Sequence, residues 1–141
     1  MAVAVAGLWE LGHNVPLQEA HLWGTMLRDF EVEAWHMSPV TGIAERRVEE
    51  WPEPERMIEA LREQYDLVFV TEDSSVPELQ HFEHPENSCY VFGKANYSPF
   101  IALRQHETDL ALHIHTPAGK GLLWPHQCAV AVLWHRGLQW Q

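Results

Sequence analysis

Four histidines in the last third of the chain, His106, His113, His115 and His126, are the side chains that most directly offer chemistry. His113 and His115 stand two apart, so in a strand both rings point to one face. Imidazoles gathered in that way ligate zinc or another transition metal. A metal centre needs three or four convergent ligands, and neither a CxxC pair nor an HExxH run accompanies them. No metal-ligand set is therefore assigned, and the competing reading is half-buried rings beside a ligand crevice or a subunit interface. Cys89 and Cys128 lie inside the apolar runs SCYVFG and QCAVAVLW, where a thiol packs as a small hydrophobe. Gly119, Lys120 and Gly121 lack the spacing of a phosphate-binding loop, and no GxGxxG follows a strand.

The bulk numbers frame these residues. The 141 residues, 46% hydrophobic and 21% charged, suit one folded domain spanning 1–141. Nine Lys+Arg against twenty Asp+Glu give a formal charge of −11, which opposes long-range attraction to a phosphate backbone. A nucleic acid would need a local basic patch, for which Arg46, Arg47, Arg56 and Arg62 are candidates; the alternative is a solvated face of mixed charge. The opening MAVAVAGLW lacks a basic leader and is too short to span a membrane, so it reads as the first strand of a cytoplasmic protein. Seven tryptophans are unusual for this length. Trp124, Trp134 and Trp140 gather near the last helix and read either as core or as anchors of a dimer interface.

The elements that must position these groups follow from periodicity. Apolar residues 2–9 predict a buried strand, and Pro16 opens a helix over 16–29 with Leu17, Ala20, Gly24 and Leu27 on one side. Gly24 costs helix stability and so implies a close backbone approach. Alternation over 31–37 predicts a strand with Val32, Ala34 and His36 on one face. Met57, Ile58, Leu61 and Tyr65 form the stripe of a helix over 53–65. Strands are expected at 67–71, 89–92 and 110–114, a helical turn at 77–82 and a short helix at 99–105. A closing helix over 125–136 should have Cys128, Ala129, Val132 and Leu133 inward. Strands alternating with helices give an α/β fold: an open, mostly parallel sheet with helices on both faces and ligands beyond the strands' carboxyl ends.

Residues 82–136, which begin FEHPENSCYVFGK and end TPAGKGLLWPHQCAVAVLWHR, resemble the C-terminal half of the SpoU-like RNA methyltransferases, the α/β-knot or SPOUT class. The shared order is a His-Pro-Glu stretch, an apolar strand ending in Gly, a later Pro-containing strand end and a turn opening the last helix. The resemblance implies a C-terminal trefoil knot, an exception to the rule against threaded chains. It also implies a homodimer, and S-adenosylmethionine held chiefly by backbone groups. By position, Phe92, Gly93 and Lys94, then Ile114 to Pro117, then Leu122, Leu123 and Trp124 would line that cofactor. The implied partners are tRNA or rRNA and a second copy, with neither DNA nor a membrane.

The chain departs from the family where catalysis is expected. The Ser-Leu-Asn turn falls on Leu122, Leu123 and Trp124, and the usual Arg of the first helix falls on Gln18. Asn14 lies two residues out of register with the family's Asn, and Pro16 stands where Gly is common. Glu19 and His21 could replace the missing group as base for a ribose 2′-hydroxyl, and Arg28 could hold phosphate; these three are the catalytic candidates. Three expectations stand together. They are a 2′-O-ribose methyltransferase, a non-catalytic binding or assembly module on the same scaffold, and a His-rich metal protein of another fold.

Overall fold

The computed structural model describes residues 1–8, 16–38, 47–93, 106–118 and 123–140, with the backbone alone at 16–19. Six strands, β1 (Val3–Leu8), β2 (Ala34–Met37), β3 (Val48–Glu50), β4 (Asp66–Thr71), β5 (Ser88–Gly93) and β6 (Leu110–His113), form one sheet in the order β3-β2-β1-β5-β4-β6. Every pairing is parallel. The helices are α1 (Pro16–Asp29), α2 (Pro54–Arg62) and α3 (Pro125–Gln139), with one 3-10 turn at Leu79–His81.

Parallel strands covered on both faces read as continuous apolar runs, and that is why VAVAGL, LVFV and CYVF carry so few polar residues. Alternate side chains divide between two cores. Val5, Val68, Tyr90, Phe92 and Leu112 pack with Ala20, Trp23 and Leu27 of α1 and with Ala129, Val132 and Leu133 of α3. Ala4, Ala6, Leu8, Leu67, Phe69, Cys89 and Val91 pack with Met57, Ile58 and Leu61 of α2. Helices thus cover both faces, as patterning predicts. Neither cysteine is in a disulfide; burial pushes the Cys89 thiol up.

Several boundaries differ from the sequence reading. Strand β2 begins at Ala34 because residues 31–33 reverse the chain: Glu31 and Val32 donate N–H groups to the carbonyls of Arg28 and Leu27, and Glu31 takes φ 56°. This is a Schellman closure with glutamate in the position glycine prefers. Val32 consequently packs on the first core, opposite Ala34. Strand β3 was not predicted; three residues, VEE, are too few and too polar to register as a period. Helix α2 stops at Arg62, and Gln64 and Tyr65 close it by donating to the Leu61 carbonyl. At Gly24 the close neighbour is a side chain, not backbone: an added Cβ would lie 2.1 Å from Nη2 of Arg47.

The short helix expected at 99–105 lies outside the described residues, as do Asn14, Arg46, Lys94, Gly119, Lys120, Gly121 and Leu122. The threading that would tie a knot runs through 94–105 and 119–122, also outside them. No helix among the described residues is long and apolar enough to cross a membrane.

Candidate functional site

All strands run the same way, so their carboxyl ends open on one edge, where parallel sheets bind ligands. Leu8 at the end of β1 stands beside Gly93 at the end of β5, and Thr71 of β4 beside His113 of β6. The chain leaves β1 toward β2 and β3 on one side, whereas β4 and β6 lie on the other. The β1/β5 boundary is therefore the switch point of the sheet, and Gly93 sits on it without a side chain to fill the crevice.

The end of β6 is held by its own histidine. The His113 backbone N–H donates to the Pro77 carbonyl at 2.9 Å, and its Nδ1 donates to the Val76 carbonyl at 2.8 Å. Ile114 then packs against the first core, while His115 and Pro117 face solvent. Pro125 occupies the first turn of α3, where its missing N–H is harmless. The Trp124 N–H is capped by Oε1 of Gln127 at 2.9 Å. Burial, and then the carboxylate of Glu72, push the Cys128 thiol up to about 11. Leu123 and Trp124 are both exposed there.

Six of the eight residues assigned to a cofactor by resemblance, Phe92, Gly93, Ile114, Pro117, Leu123 and Trp124, thus occupy the carboxyl edge or the turn above it. Lys94 and Leu122 lie outside the described residues. Phe92 points into the core edge-on to Trp23, with ring centres 5.9 Å apart, so only its main chain faces the crevice. Helix α1 runs back antiparallel to the strands. Its first turns carry Gln18, Glu19 and exposed His21 at the carboxyl edge, and its last turn carries exposed Arg28, ~10 Å further along the axis at 1.5 Å per residue. Ser38, buried at the end of β2, donates its N–H to Gly7, and its hydroxyl has no partner among the described residues.

The four histidines do not gather. His106 is bound to Thr108 and His113 to Val76, and among the described residues no three His, Cys, Asp or Glu could share a metal ion. The expectation of a His-rich metal protein of another fold therefore loses both its ligand set and its premise.

A different polar cluster is buried at the opposite end of α3. Arg136, 6% exposed, donates to the carbonyls of Pro85 (2.5 Å) and Glu86 (2.6 Å) and to the hydroxyls of Ser88 (3.1 Å) and Tyr90 (3.5 Å). His84 bonds to Tyr90 at 2.6 Å through Nδ1 and to His135 at 2.8 Å through Nε2. Gln139 and Trp140 complete the clasp by bonding to Phe82 and His84. Sequence reasoning missed it, although the signal was present: Arg136 continues the inward stripe of Ala129, Val132 and Leu133 by one helical step.

The sequence matches no family model, and no curated protein matches it. Solved structures do match. The A. aeolicus TrmH/SpoU tRNA-modifying enzyme superposes with a TM-score of 0.72 at 10% identity, over 97% of this chain and 74% of that one. A Bacillus anthracis protein assigned as an RNA methyltransferase gives 0.72 at 13% identity, over 98% and 94%. A Porphyromonas gingivalis protein assigned to the TrmH family of RNA methyltransferases gives 0.61 at 16% identity, over 96% of this chain but 60% of that one. The strand order, the two-sided helix cover and these superpositions lead to one conclusion: the chain has the SpoU-like α/β fold.

Proposed function

We propose that this chain binds S-adenosylmethionine at the carboxyl edge of the sheet and methylates a ribose 2′-hydroxyl of tRNA or rRNA, working in the cytoplasm as a homodimer. What supports the reading is that Gly93 ends β5 and Ile114 follows β6, on either side of β4, at the carboxyl edge of an all-parallel sheet. The residues fit such a donor. Gly93 leaves main-chain groups open to an adenosine, and Trp124 offers an aromatic face. Glu72 puts a carboxylate at the same edge, the sign of charge that suits a sulfonium.

Bound there, S-adenosylmethionine supplies an electrophilic methyl group. The main chain of Gly93 and Ile114 orients it, and the apolar Leu123–Trp124 turn limits water. Glu19 or His21, on the first turns of α1, would accept the proton of the 2′-hydroxyl, the donor's sulfur–methyl bond breaking as the oxygen–methyl bond forms and the neutral thioether leaving. Arg28 lies in the last turn of the same helix, at the opposite edge of the sheet, and its charge would meet RNA away from the reacting centre.

The stripe Val130, Trp134 and Leu138 supports the dimer. These residues recur every fourth position on α3 and are 42%, 60% and 50% exposed, an apolar face a monomer rarely leaves in water. It lies on the helix that starts at the candidate site, and a twofold pairing with a second copy would cover it. Sedimentation should give the mass of two chains, and Trp134→Glu should give one. Single chains at every wild-type concentration would remove the dimer from the account.

A second reading is favoured by Gln18, by Leu122, Leu123 and Trp124 in place of Ser-Leu-Asn, and by the −11 charge: a module that keeps the donor pocket without transferring the methyl. Incubation with methyl-labelled donor and bulk tRNA and rRNA separates the two. The enzyme reading expects label in 2′-O-methyl nucleosides, lost in Glu19→Gln or His21→Gln. Donor binding with no label in any RNA would leave the module.

A further inference from the structure

Glu72 leaves the sheet between the two strands whose ends carry the candidate donor segments. Phe69 of β4 pairs with Val91 of β5, and Thr71 of β4 pairs with His113 of β6. Glu72 is the next residue, so it follows β4 between Gly93, at the end of β5, and Ile114, just past β6. Side chains along β4 alternate: Leu67 and Phe69 enter the core covered by α2, and Val68 and Val70 the core covered by α1 and α3. Carried on from Val70 to Glu72, the alternation turns the carboxylate toward α1 and α3, whose first turns reach this edge. Cys128, which packs on that core from the first turns of α3, agrees: after burial, the charge of Glu72 is what raises its thiol.

The backbone that carries Glu72 is fixed. Thr71 Oγ1 accepts the Asp73 N–H at 3.2 Å, and Asp73 Oδ1 accepts from the N–H (2.9 Å) and the hydroxyl (2.7 Å) of Ser75. Val76 and Pro77 then give their carbonyls to His113, which ties the turn to the end of β6. The turn thus takes up the carboxylate of Asp73 itself, whereas Glu72 is exposed at the edge. A charge on a fixed backbone beside a binding site acts on whatever charge the ligand brings there.

We propose that Glu72 sets the preference of this site between the methyl donor and its spent product, by holding a carboxylate toward the donor's sulfonium. The proposal rests on the donor reading above and deepens it. The sulfur of S-adenosylmethionine carries a positive charge. When its bond to the methyl breaks, the electron pair stays on sulfur, and S-adenosylhomocysteine is left with a neutral thioether. The two ligands share their adenosine and amino-acid parts, so main-chain contacts to those parts hold both alike. A carboxylate at the sulfur distinguishes them, because it attracts the charged ligand and gains nothing from the neutral one. Methyl transfer therefore weakens the hold on the product as it forms.

Calorimetry with S-adenosylmethionine, S-adenosylhomocysteine and sinefungin tests this on wild type, Glu72→Gln and Glu55→Gln; sinefungin carries an ammonium group in place of the sulfonium methyl. Glu72→Gln should bind the two charged ligands roughly three- to fivefold more weakly, the size of an exposed charge pair, and S-adenosylhomocysteine as wild type does, which also reports that the variant is folded. The deficit should shrink as salt is raised. Glu55→Gln removes the same charge from the exposed side of α2 and should bind all three ligands as wild type does. A Glu72→Gln protein that binds all three like wild type, or weakens equally toward all three, would overturn the role of Glu72 and leave the donor site standing. Wild type that binds none of the three would overturn the donor reading and this proposal with it.

Discussion

Replacing Arg136 by methionine should cost the fold about 3 kcal/mol, read as a fall in the urea midpoint at unchanged slope. The guanidinium is buried without a carboxylate among its hydrogen-bond partners, which are the carbonyls of Pro85 and Glu86 and the hydroxyls of Ser88 and Tyr90. Methionine keeps much of the stem's packing but deserts four acceptors. Bonds to a charged donor are worth about 1.5–3 kcal/mol each, and the recovered cost of burying the charge offsets part of the sum. Domains of this size are stable by only ~5–15 kcal/mol, so the loss is a large share. The consequence reaches the far end of the helix. This clasp fixes the last turn of α3, and the first turn of the same helix carries Leu123 and Trp124 at the donor edge. Arg136→Lys should fall between, because a point charge cannot reach all four acceptors at once. A loss under about 1 kcal/mol for Arg136→Met would show that the clasp is not what holds α3.

Acid should weaken the same clasp through His84. Burial, then the neighbouring His135 and Arg136, lower its pKa from 6.5 to about 4. A neutral ring satisfies both of its bonds, accepting on one nitrogen and donating on the other. The unfolded chain takes up this proton near pH 6.5 and the folded chain only near 4, so the stabilisation is complete above 6.5 and declines as pH falls through that window. Discounted for solvent screening, this one group should lose on the order of 1–2 kcal/mol between pH 7.5 and 4.5. His84→Gln, which does not titrate, should be less stable at neutral pH but lose correspondingly less on acidification. Parallel stability–pH curves for the two proteins would contradict the assignment.

The fold was legible wherever burial on both faces made the sequence monotonous. Runs such as LVFV and CYVF have no alternative to a covered parallel strand, and Pro16 and Pro125 mark helix starts because proline suits a first turn. Strand β3 was illegible because its three residues, VEE, are too short and polar to show a period, even though Glu49 reaches His36 of β2 at the sheet edge. The over-long reading of β2 has a similar cause: Val32 is apolar for the sake of the helix closure, not of the strand. At the candidate site, Gly93 and Ile114 could be placed because they end apolar runs. The base could not, since Glu19 and His21 look like any polar residues on a helix. The His84–Arg136 clasp was hidden because its bonds to the end of α3 join residues 46–57 positions apart, and half of Arg136's acceptors are backbone carbonyls.

The account stands on the claim that the carboxyl edge of this sheet holds a methyl donor. Titration of the 15N-labelled protein with S-adenosylmethionine, followed by amide resonances, tests it residue by residue. The expected result is a saturable shift centred on Gly93, Ile114, Leu123 and Trp124, with the amides of Phe82 to Glu86 at the far end of α3 unmoved. Amides that stay unshifted at saturating donor, or shifts confined to other parts of the chain, would contradict it.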